Sequence, residues 1–289
     1  MSFRLLVNPA AANGRALRRL PKVTEELQRL GVEPVVVQTR SLDHAREEAE
    51  QVAREGGTLG AMGGDGFVRP LAGALRDSKA RLAVLPGGRG NDFARSLGVP
   101  RDPAAAAEVA VSGRERLVDV GFVDEEPFLG IASYGIDSNV QHYANSTKVV
   151  RGSLVYLYGV LRALQGWKGA RFTVIADGDQ RSYEGFAAAV ANTGVFGGGM
   201  ELLPMAEVDD GQLDVLLTKG HPKLRYLRGL TQVFKGTHLD PRYTEVMRAA
   251  EVHIDSSPPY DVFADGDPIG RTPARVTVRP RCLRVLVPA

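Results

Sequence analysis

The chain has 289 residues, which is long enough to bury a substantial core in one large domain or in two. Its 44% hydrophobic and 24% charged residues are typical of an ordinary globular protein, and a net charge of +2 gives no bulk electrostatic reason to expect a nucleic-acid partner. A single cysteine, Cys282, excludes an internal disulfide framework and a zinc site built from several cysteines.

In the first part of the chain, short apolar runs alternate with helical patterns. The strand-like runs are FRLLVNP (3–9), VEPVVVQT (32–39), TLGAM (58–62) and RLAVLPGG (81–88). Helical patterns precede Leu30, with Pro21 placed in a first turn, and then cover 42–56, the region around Leu71–Leu75, NDFARSLG and DPAAAAEVA. This alternation predicts a parallel sheet with helices on both faces.

After about Gly121 the sequence is dense in strand-like runs joined by Gly, Asp and Pro turns, which indicates an antiparallel sandwich or barrel. Two helical patterns interrupt it, at 153–167 and 221–236. The second is basic and places Leu224, Leu227 and Phe234 on one side. Such a helix could lie on an anionic bilayer, but we expect this side to pack on the sheet.

No window of about 18 apolar residues is present, and the opening residues, MSFRLLVNPA, lack the apolar segment of a secretion signal. We therefore expect a cytoplasmic protein without a transmembrane segment, whose contact with membranes is peripheral.

Two glycine-rich loops follow neighbouring predicted strands, GGDG at 63–66 and PGGRGND at 86–92. Bare backbone N–H groups before a helix suit phosphate oxygens, and open α/β sheets bind ligands at the carboxyl ends of their strands. Asp65 would repel a phosphate unless a cation such as Mg²⁺ lies between them. Alternatively, GGDG is a tight turn with Asp65 as a helix N-cap.

Two acidic segments occur in the second part. ADGDP presents Asp265 and Asp267, and phosphoryl transfer needs a carboxylate to take a hydroxyl proton. PMAEVDDGQLD offers oxygen ligands on a tight loop, which suit a hard cation. Without further context, each segment is also explained as a turn with solvated acids.

Together the glycine loops carry a resemblance. GGDG followed by LPGGRGNDFARSLGVP resembles the catalytic domain of diacylglycerol kinases and of related bacterial, YegS-like lipid kinases, a group that also includes sphingoid-base kinases. The similarity continues in the same order over the whole chain. Its further parts are NPAAANG, QTRSLDHA, FLGIASYGID, GGGMELLPMAEVDDGQLDVLL and DVFADGDPIGRTPARVTVRP.

The resemblance implies a Rossmann-like parallel α/β nucleotide-binding domain over residues 1–122 and an antiparallel β-sandwich domain over 123–289, with the C-terminal residues rejoining the first. It implies ATP and Mg²⁺ as cofactors and phosphorylation of a lipid hydroxyl at the membrane surface. Diacylglycerol, converted to phosphatidic acid, is the favoured acceptor, and a sphingoid base or another hydroxyl compound is the alternative. A homodimer is left open.

The resemblance also assigns residues. Those expected at the nucleotide are Asn8, Gly14, Thr39, Gly63, Gly64, Asp65, Gly66, Phe67, Val68, Arg69, Arg89, Gly90, Asn91 and Asp92. Those expected to be catalytic are Asp65, Asp265 and Asp267, with the choice of base between the last two open. A structural Mg²⁺ is expected on the Asp210 carboxylate and the carbonyls of Glu207 and Gln212.

Four positions depart from the family pattern. Phe67 replaces a threonine, Arg69-Pro70 replaces Asn-Glu, and Arg89 replaces the threonine of the second loop. We expect both arginines to face the phosphates, whose oxygens guanidinium groups bind well, and Pro70 to lie in the first turn of its helix. These departures support a second hypothesis, a kinase-like nucleotide-binding or regulatory protein that has lost turnover.

Overall fold

The computed structural model describes residues 2–147 and 154–289. The first part alternates strands and helices as predicted. Its strands are β1 (Phe3–Val7), β2 (Val35–Gln38), β3 (Thr58–Gly63) and β4 (Arg81–Pro86). Its helices are α1 (Arg15–Arg29), α2 (Leu42–Glu55), α3 (Asp65–Leu75), α4 (Asp92–Ser96) and α5 (Pro103–Ser112). The four strands are parallel in the order β2-β1-β3-β4, which confirms the predicted α/β sheet.

The two prolines inside helices were placed wrongly from the sequence. Pro21 lies well inside α1, because Gly14, with φ of 78°, lets the helix begin at Arg15. Pro70 lies in the second turn of α3, because that helix begins at Asp65, directly after the glycines. Both helices are thus longer at their N-termini than hydrophobic periodicity alone indicated.

The second part is mainly antiparallel. Its strands are β5 (Arg114–Val123), β6 (Glu126–Phe128), β7 (Ile131–Gly135), β8 (Ala170–Ala176), β9 (Asp179–Ala191), β10 (Val195–Phe196), β11 (Met200–Glu201), β12 (Leu213–Lys219), β13 (Thr244–Ala249), β14 (Glu251–Ser257), β15 (Asp261–Ala264), β16 (Asp267–Arg271) and β17 (Ala274–Val287). Its helices are α6 (Ile136–Ser146), α7 (Leu154–Gly166) and α8 (Lys223–Val233). The first half of β9 pairs with β8 and its second half with β7 and β12, so β9 runs through both layers of a sandwich.

The last strand links the two parts. Residues 274–277 of β17 pair with β14, whereas Arg284 and Val285 pair in parallel with β4. Leu283 and Val285 are fully buried in the core of the α/β part. Through β17 the parallel and antiparallel strands form one continuous sheet, which holds the glycine loops in place against the sandwich.

Helix α8 packs differently from the prediction. Tyr226, Leu230 and Val233 face the sheet, whereas Leu224 is 79% and Phe234 58% exposed. The prediction that Leu224 and Phe234 pack on the sheet is therefore wrong. At 3.6 residues per turn, Leu224 lies on the side opposite the buried one, and Phe234 follows the last helical residue.

Helix α7 is also only partly covered. Leu164 is buried, whereas Leu157 and Leu161 are about half exposed. Ser153, where the sequence pattern begins, lies outside the described residues. Over 2–147 and 154–289, no helix has the length and apolar character needed to cross a bilayer.

Candidate active site

The two glycine loops lie side by side because the strands before them are neighbours. Gly63 at the end of β3 pairs with Pro86 at the end of β4. The Gly63 carbonyl then accepts hydrogen bonds from the amides of Gly87, at 2.9 Å, and Gly88, at 3.0 Å. A side chain on Gly88 would collide with the backbone of Gly64, so this approach requires glycine. The loops therefore form one continuous surface of bare backbone.

Asp65 connects these loops. Its Oδ1 accepts the amide of Phe93 at 3.1 Å, so it caps α4 from the neighbouring loop, while its own helix α3 begins after Gly64 without a side-chain cap. The alternative that Asp65 is simply the N-cap of its own helix is wrong. Burial raises the pKa of Asp65, although backbone N–H donors oppose the shift.

The end of the second loop is held by side chains. Asn91, with φ of 53°, accepts the Gly88 amide at 2.8 Å and donates to the Gly88 carbonyl at 3.1 Å. It therefore fixes the loop conformation. Asp92 accepts the Gly198 amide at 2.9 Å, and burial together with the charge of Asp65 raises its pKa. Gly198 belongs to the turn between β10 and β11, so Asp92 ties the loop to the second part of the protein.

Three further predicted residues lie at the same edge of the parallel sheet. Asn8 follows β1 and turns back to accept the Ala10 amide at 3.0 Å. Gly14 begins α1 in a left-handed conformation. Thr39 follows β2, is buried, and donates its hydroxyl to the Val7 carbonyl at 3.2 Å. Asn8 and Thr39 thus use these polar atoms within the protein, and their contact with a nucleotide stays a prediction.

The residues that depart from the family pattern in α3 do not face the loop surface. Phe67 and Val68 are buried in the core of the α/β part, and Phe67 packs against Gly63. Arg69 is buried at the contact with β6, where its guanidinium donates to the Pro127 carbonyl and to Glu126, both at 3.3 Å. The prediction that Arg69 faces the phosphates is wrong, because the helical turn directs its side chain toward β6.

The second loop leaves its middle open. Arg89 is exposed, and no ion pair or hydrogen bond of its side chain occurs within the described ranges. A methyl group built on Gly90 would lie 3.0 Å from an Asp92 oxygen and 3.2 Å from an Asp65 oxygen. Both carboxylates therefore border the space above Gly90.

The turn between β15 and β16 brings the second acidic segment to the same place. Asp265, with φ of 53°, accepts the amide of Leu129 at 2.8 Å and that of Gly130 at 2.9 Å. Asp267 touches Gly66, where any side chain would collide with its carboxylate. Residues 200 positions apart in the chain thus meet at the GGDG loop.

Burial raises the pKa of Asp265 to about 7, and the nearby charge of Asp65 adds to the effect. The two backbone amides and the Arg69 guanidinium act in the opposite direction. A carboxylate that changes protonation near neutral pH is suited to general base catalysis. Among the described residues, Asp65, Asp265 and Asp267 form no ion pair with Lys, Arg or His. The region where the β15–β16 turn meets the two glycine loops, called the cleft below, therefore concentrates negative charge that a divalent cation would neutralise.

The predicted metal loop is arranged differently. Asp210 accepts the Gln212 amide at 2.9 Å and contacts the guanidinium of Arg248, which also lies 3.6 Å from Asp214. Glu207 lies at the surface of the same loop. In the part of the chain that the structure describes, no three His, Cys, Asp or Glu side chains are grouped to hold a metal. The arginine thus supplies positive charge there, and a metal on the Glu207 and Gln212 carbonyls stays a prediction.

Two buried polar residues escaped the sequence analysis. Asn192, at the end of β9, donates to the carbonyls of Asp119, at 3.2 Å, and Leu129, at 3.0 Å. It thereby holds the segment whose amides bind Asp265. Asp119 is fully buried and accepts the amides of Gly211 and Arg281, both at 2.7 Å. Each residue had a signal in the sequence. Asn192 carries a polar side chain directly after an Ala-rich strand, and Asp119 is an acid within an apolar strand.

Two protein-family models together match nearly the whole chain. Residues 2–123 match the diacylglycerol kinase catalytic domain, and residues 130–287 match the YegS C-terminal NAD kinase beta sandwich-like domain. A diacylglycerol kinase of Mycobacterium tuberculosis is 31% identical, over 98% of this chain and 94% of its own length. A probable YegS-like lipid kinase of Pseudomonas aeruginosa is 34% identical, over 86% of this chain and 82% of its own.

A crystal structure of a putative diacylglycerol kinase from Bacillus anthracis superposes with a TM-score of 0.82. The two chains are 23% identical, and the match covers 99% of this chain and 96% of the other. At this identity the likeness concerns the fold, which has the same two-part arrangement.

Proposed function

Because the chain belongs to the family of diacylglycerol kinases and YegS-like lipid kinases, we propose that it transfers the γ-phosphate of ATP to a lipid hydroxyl, with diacylglycerol as the acceptor and phosphatidic acid as the product. One observation carries the proposal. Asp265 and Asp267, from the sandwich, meet Asp65 and the glycine loops, from the α/β part, in one cleft.

Each group has a role that its surroundings support. The backbone of the two glycine loops is open to phosphate oxygens, and exposed Arg89 can reach them as a cation. Mg²⁺, when bound with ATP, neutralises charge on the phosphates. Asp65, with Asp92 beside it, would hold the ion, since both carboxylates border the space above Gly90.

Asp265 is proposed to take the proton of the acceptor. The lipid hydroxyl gives its proton to a carboxylate oxygen of Asp265, its oxygen forms a bond to the γ-phosphorus, and the bond to the β,γ-bridging oxygen breaks to leave ADP. A pKa of about 7 suits this step, because the carboxylate is largely ionised at slightly alkaline pH yet still basic. Asp267, in contact with Gly66, would position the loop against the acceptor.

The alternative of an inactive kinase-like protein rests on Phe67, Arg69, Pro70 and Arg89. The side chain of Phe67 lies in the core and that of Arg69 at β6, so neither enters the loop surface. Arg89 is exposed on the second loop, and the alternative therefore depends mainly on that residue. The proposed peripheral contact with a membrane is supported by the exposed apolar side chains of α7 and α8.

The test is phosphoryl transfer by the purified protein. Radiolabelled ATP is offered with diacylglycerol, a sphingoid base or a prenol in anionic vesicles, with and without Mg²⁺. We expect Mg²⁺-dependent labelling of diacylglycerol. Labelling of the sphingoid base instead would change the acceptor, and nucleotide binding without any transfer would favour the regulatory alternative.

A further inference from the structure

Three carbonyl groups of the second glycine loop are held by arginines. Every second residue from 86 to 90 gives its carbonyl to one guanidinium, and the pairs are Pro86 with Arg19 at 2.9 Å, Gly88 with Arg15 at 3.3 Å and Gly90 with Arg101 at 3.3 Å. Hydrogen bonds from a charged donor are stronger than neutral ones. We call these three residues, Arg15, Arg19 and Arg101, the arginine clamp.

Secondary structure brings the clamp to the loop. The first turn of α1 packs directly on it, since a methyl group built on Gly87 would lie 3.1 Å from the Cβ of fully buried Ala16. Arg15 and Arg19 are four residues apart and therefore lie on one face of this helix. Arg101 comes from the segment between α4 and α5, and its own carbonyl accepts from Arg19 at 3.4 Å. The clamp is thus anchored at two separate parts of the chain.

Each held carbonyl also fixes the direction of the amide in the same peptide unit. The peptide bonds of the loop are trans, so C=O and N–H of one unit point in opposite directions. In unit 86–87 the Gly87 amide binds the neighbouring glycine loop at 2.9 Å, and in unit 90–91 the Asn91 amide opposes the rise in the pKa of Asp65. In unit 88–89 the Arg89 amide donates to no atom among the described residues. This amide points away from the clamp and is left for a ligand.

The clamp carries positive charge that carboxylates of the protein do not balance. In the described parts of the chain, none of its three arginines forms an ion pair with Asp or Glu. The charge of Arg101 nevertheless reaches the loop, since it lowers the pKa of Asp92 against the effect of burial. Three cations behind the carbonyls therefore favour an anion on the amide side of the same peptide units.

We propose that the three arginines of the clamp are positioning residues for the phosphates of the nucleotide. They turn the carbonyls of the second loop out of the cleft and so direct the Arg89 amide toward a phosphate oxygen. Without them the peptide units could rotate and present carbonyl oxygens, which repel phosphate. This inference rests on the proposed ATP-dependent function and adds what orients its phosphate loop.

Arg19→Met is the main test variant. It removes the hydrogen bonds to the Pro86 and Arg101 carbonyls and keeps an unbranched side chain that favours helix. Arg101→Met tests the clamp from the other segment. Arg29→Met is the matched control, because it removes one positive charge from the exposed end of the same helix, where Arg29 contacts Glu26.

Binding is measured without lipid and with excess Mg²⁺, by calorimetry for ADP and by ligand-observed NMR for adenosine, which has no phosphate. We expect Arg19→Met and Arg101→Met each to weaken ADP binding about ten-fold and to leave adenosine binding unchanged. Binding is weakened rather than abolished, because the Asn91 side chain also donates to the Gly88 carbonyl. Arg29→Met should leave both affinities unchanged. Unaltered ADP binding by Arg19→Met, or an equal loss for ADP and adenosine, overturns the inference.

Salt separates orientation of the loop from simple attraction by charge. In about 0.5 M KCl, exposed charges more than a few ångströms apart are screened. We expect the weaker ADP binding of Arg19→Met, relative to wild type, to persist there, because the direction of the peptide units does not depend on screening. A difference that disappears at this salt concentration means that the arginines act by charge alone, and the positioning role is then wrong.

Kinetics distinguish this inference from the proposed function. In an active protein, we expect Arg19→Met to raise the KM for ATP and to leave the KM for the lipid unchanged. An active Arg19→Met variant with an unaltered KM for ATP overturns the inference and leaves the lipid kinase function standing. ADP binding that depends on Arg19 and Arg101, in a wild type that labels no lipid, refutes the proposed function alone.

Discussion

The protein has two concentrations of carboxylates, and they differ in how their charge is balanced. Around the loop at 207–214, Asp209 receives two hydrogen bonds of 2.8 Å from Arg116, and Asp210 and Asp214 share Arg248. Arg116 accordingly lowers the pKa of Asp209. In the cleft, Asp65 and Asp265 have no such partner among the described residues, and their pKa values are raised.

This difference distinguishes carboxylates that are paired within the protein from carboxylates that are available to a ligand. Asp209, which Arg116 neutralises, is satisfied without a ligand, whereas burial raises the pKa of Asp214 although Arg248 opposes the shift. Burial raises the pKa of both Asp65 and Asp265, and the charge of Asp65 adds to the effect on Asp265. Their ionisation therefore destabilises the folded protein, and a bound cation or a transferred proton relieves that cost. The cleft is therefore where a ligand changes the charge balance most.

The largest effect is expected from Asp65→Asn. We expect kcat for lipid phosphorylation to fall by about 10²–10³-fold, since charge stabilisation in the cleft is lost. The free energy of unfolding at pH 8 should rise, because a buried charge with a raised pKa is removed. Asp209→Asn, in the balanced cluster, should leave kcat nearly unchanged and lower the melting temperature. Equal changes in kcat and in stability for Asp65→Asn and Asp209→Asn would contradict the difference between the two carboxylate clusters.

The second prediction concerns pH. Because Asp265 must be ionised to accept a proton, kcat/KM, which reports groups of the ligand-free protein, should rise with pH and level off above about 7. Its raised pKa also means that this group lowers the free energy of unfolding as pH increases from about 4 to 7. Asp265→Asn should lose about 10²-fold or more in kcat. Its melting temperature should fall, because the asparagine side chain can accept only one of the Leu129 and Gly130 amides. A profile of kcat/KM that is flat between pH 6 and 8 in wild type would contradict the assignment.

Arg69→Met tests a buried cation that lies at β6, outside the loop surface, and acts on Asp265 through its charge. Arg69 lowers the pKa of Asp265 and donates to the Pro127 carbonyl, close to the amides that hold Asp265. We expect the rising limb of the pH profile of kcat/KM to move to higher pH and the free energy of unfolding to fall by about 1–3 kcal/mol. Glu126→Gln is the control, since it keeps the Arg69 charge. An unshifted profile in Arg69→Met would reduce Arg69 to a purely structural role.

The smallest effect is expected from Arg248→Met in the balanced cluster. Asp210 and buried Asp214 would lose their cation, so the melting temperature should fall slightly. Millimolar Mg²⁺ should then raise the melting temperature of this variant more than that of wild type, and adding Asp210→Asn should abolish the gain. An equal Mg²⁺ effect in wild type and variant would show that Arg248 and a metal do not compete.

Much of this protein follows from local sequence. The apolar runs before Gly63 and Gly87 gave the parallel strands, because such strands are buried on both faces. The glycines identified the loop surface, since their spacing leaves backbone exposed. The direction of Phe67 and Arg69 was missed, because it depends on where α3 begins and on what packs beside it.

The sequence by itself determined the alternation of elements, the glycine loops and the acids that border them, since each depends on contacts between near neighbours in the chain. Only the tertiary structure decided which acids meet. Asp65 and Asp265 come together because β17 pairs with β4 and joins the sandwich to the parallel sheet. The balance of charge also required the fold, because Arg248 reaches Asp210 only through the pairing of β13 with β12. Long-range strand pairing leaves no local signal in the sequence. It decides which acids meet in the cleft and which acids are paired with an arginine.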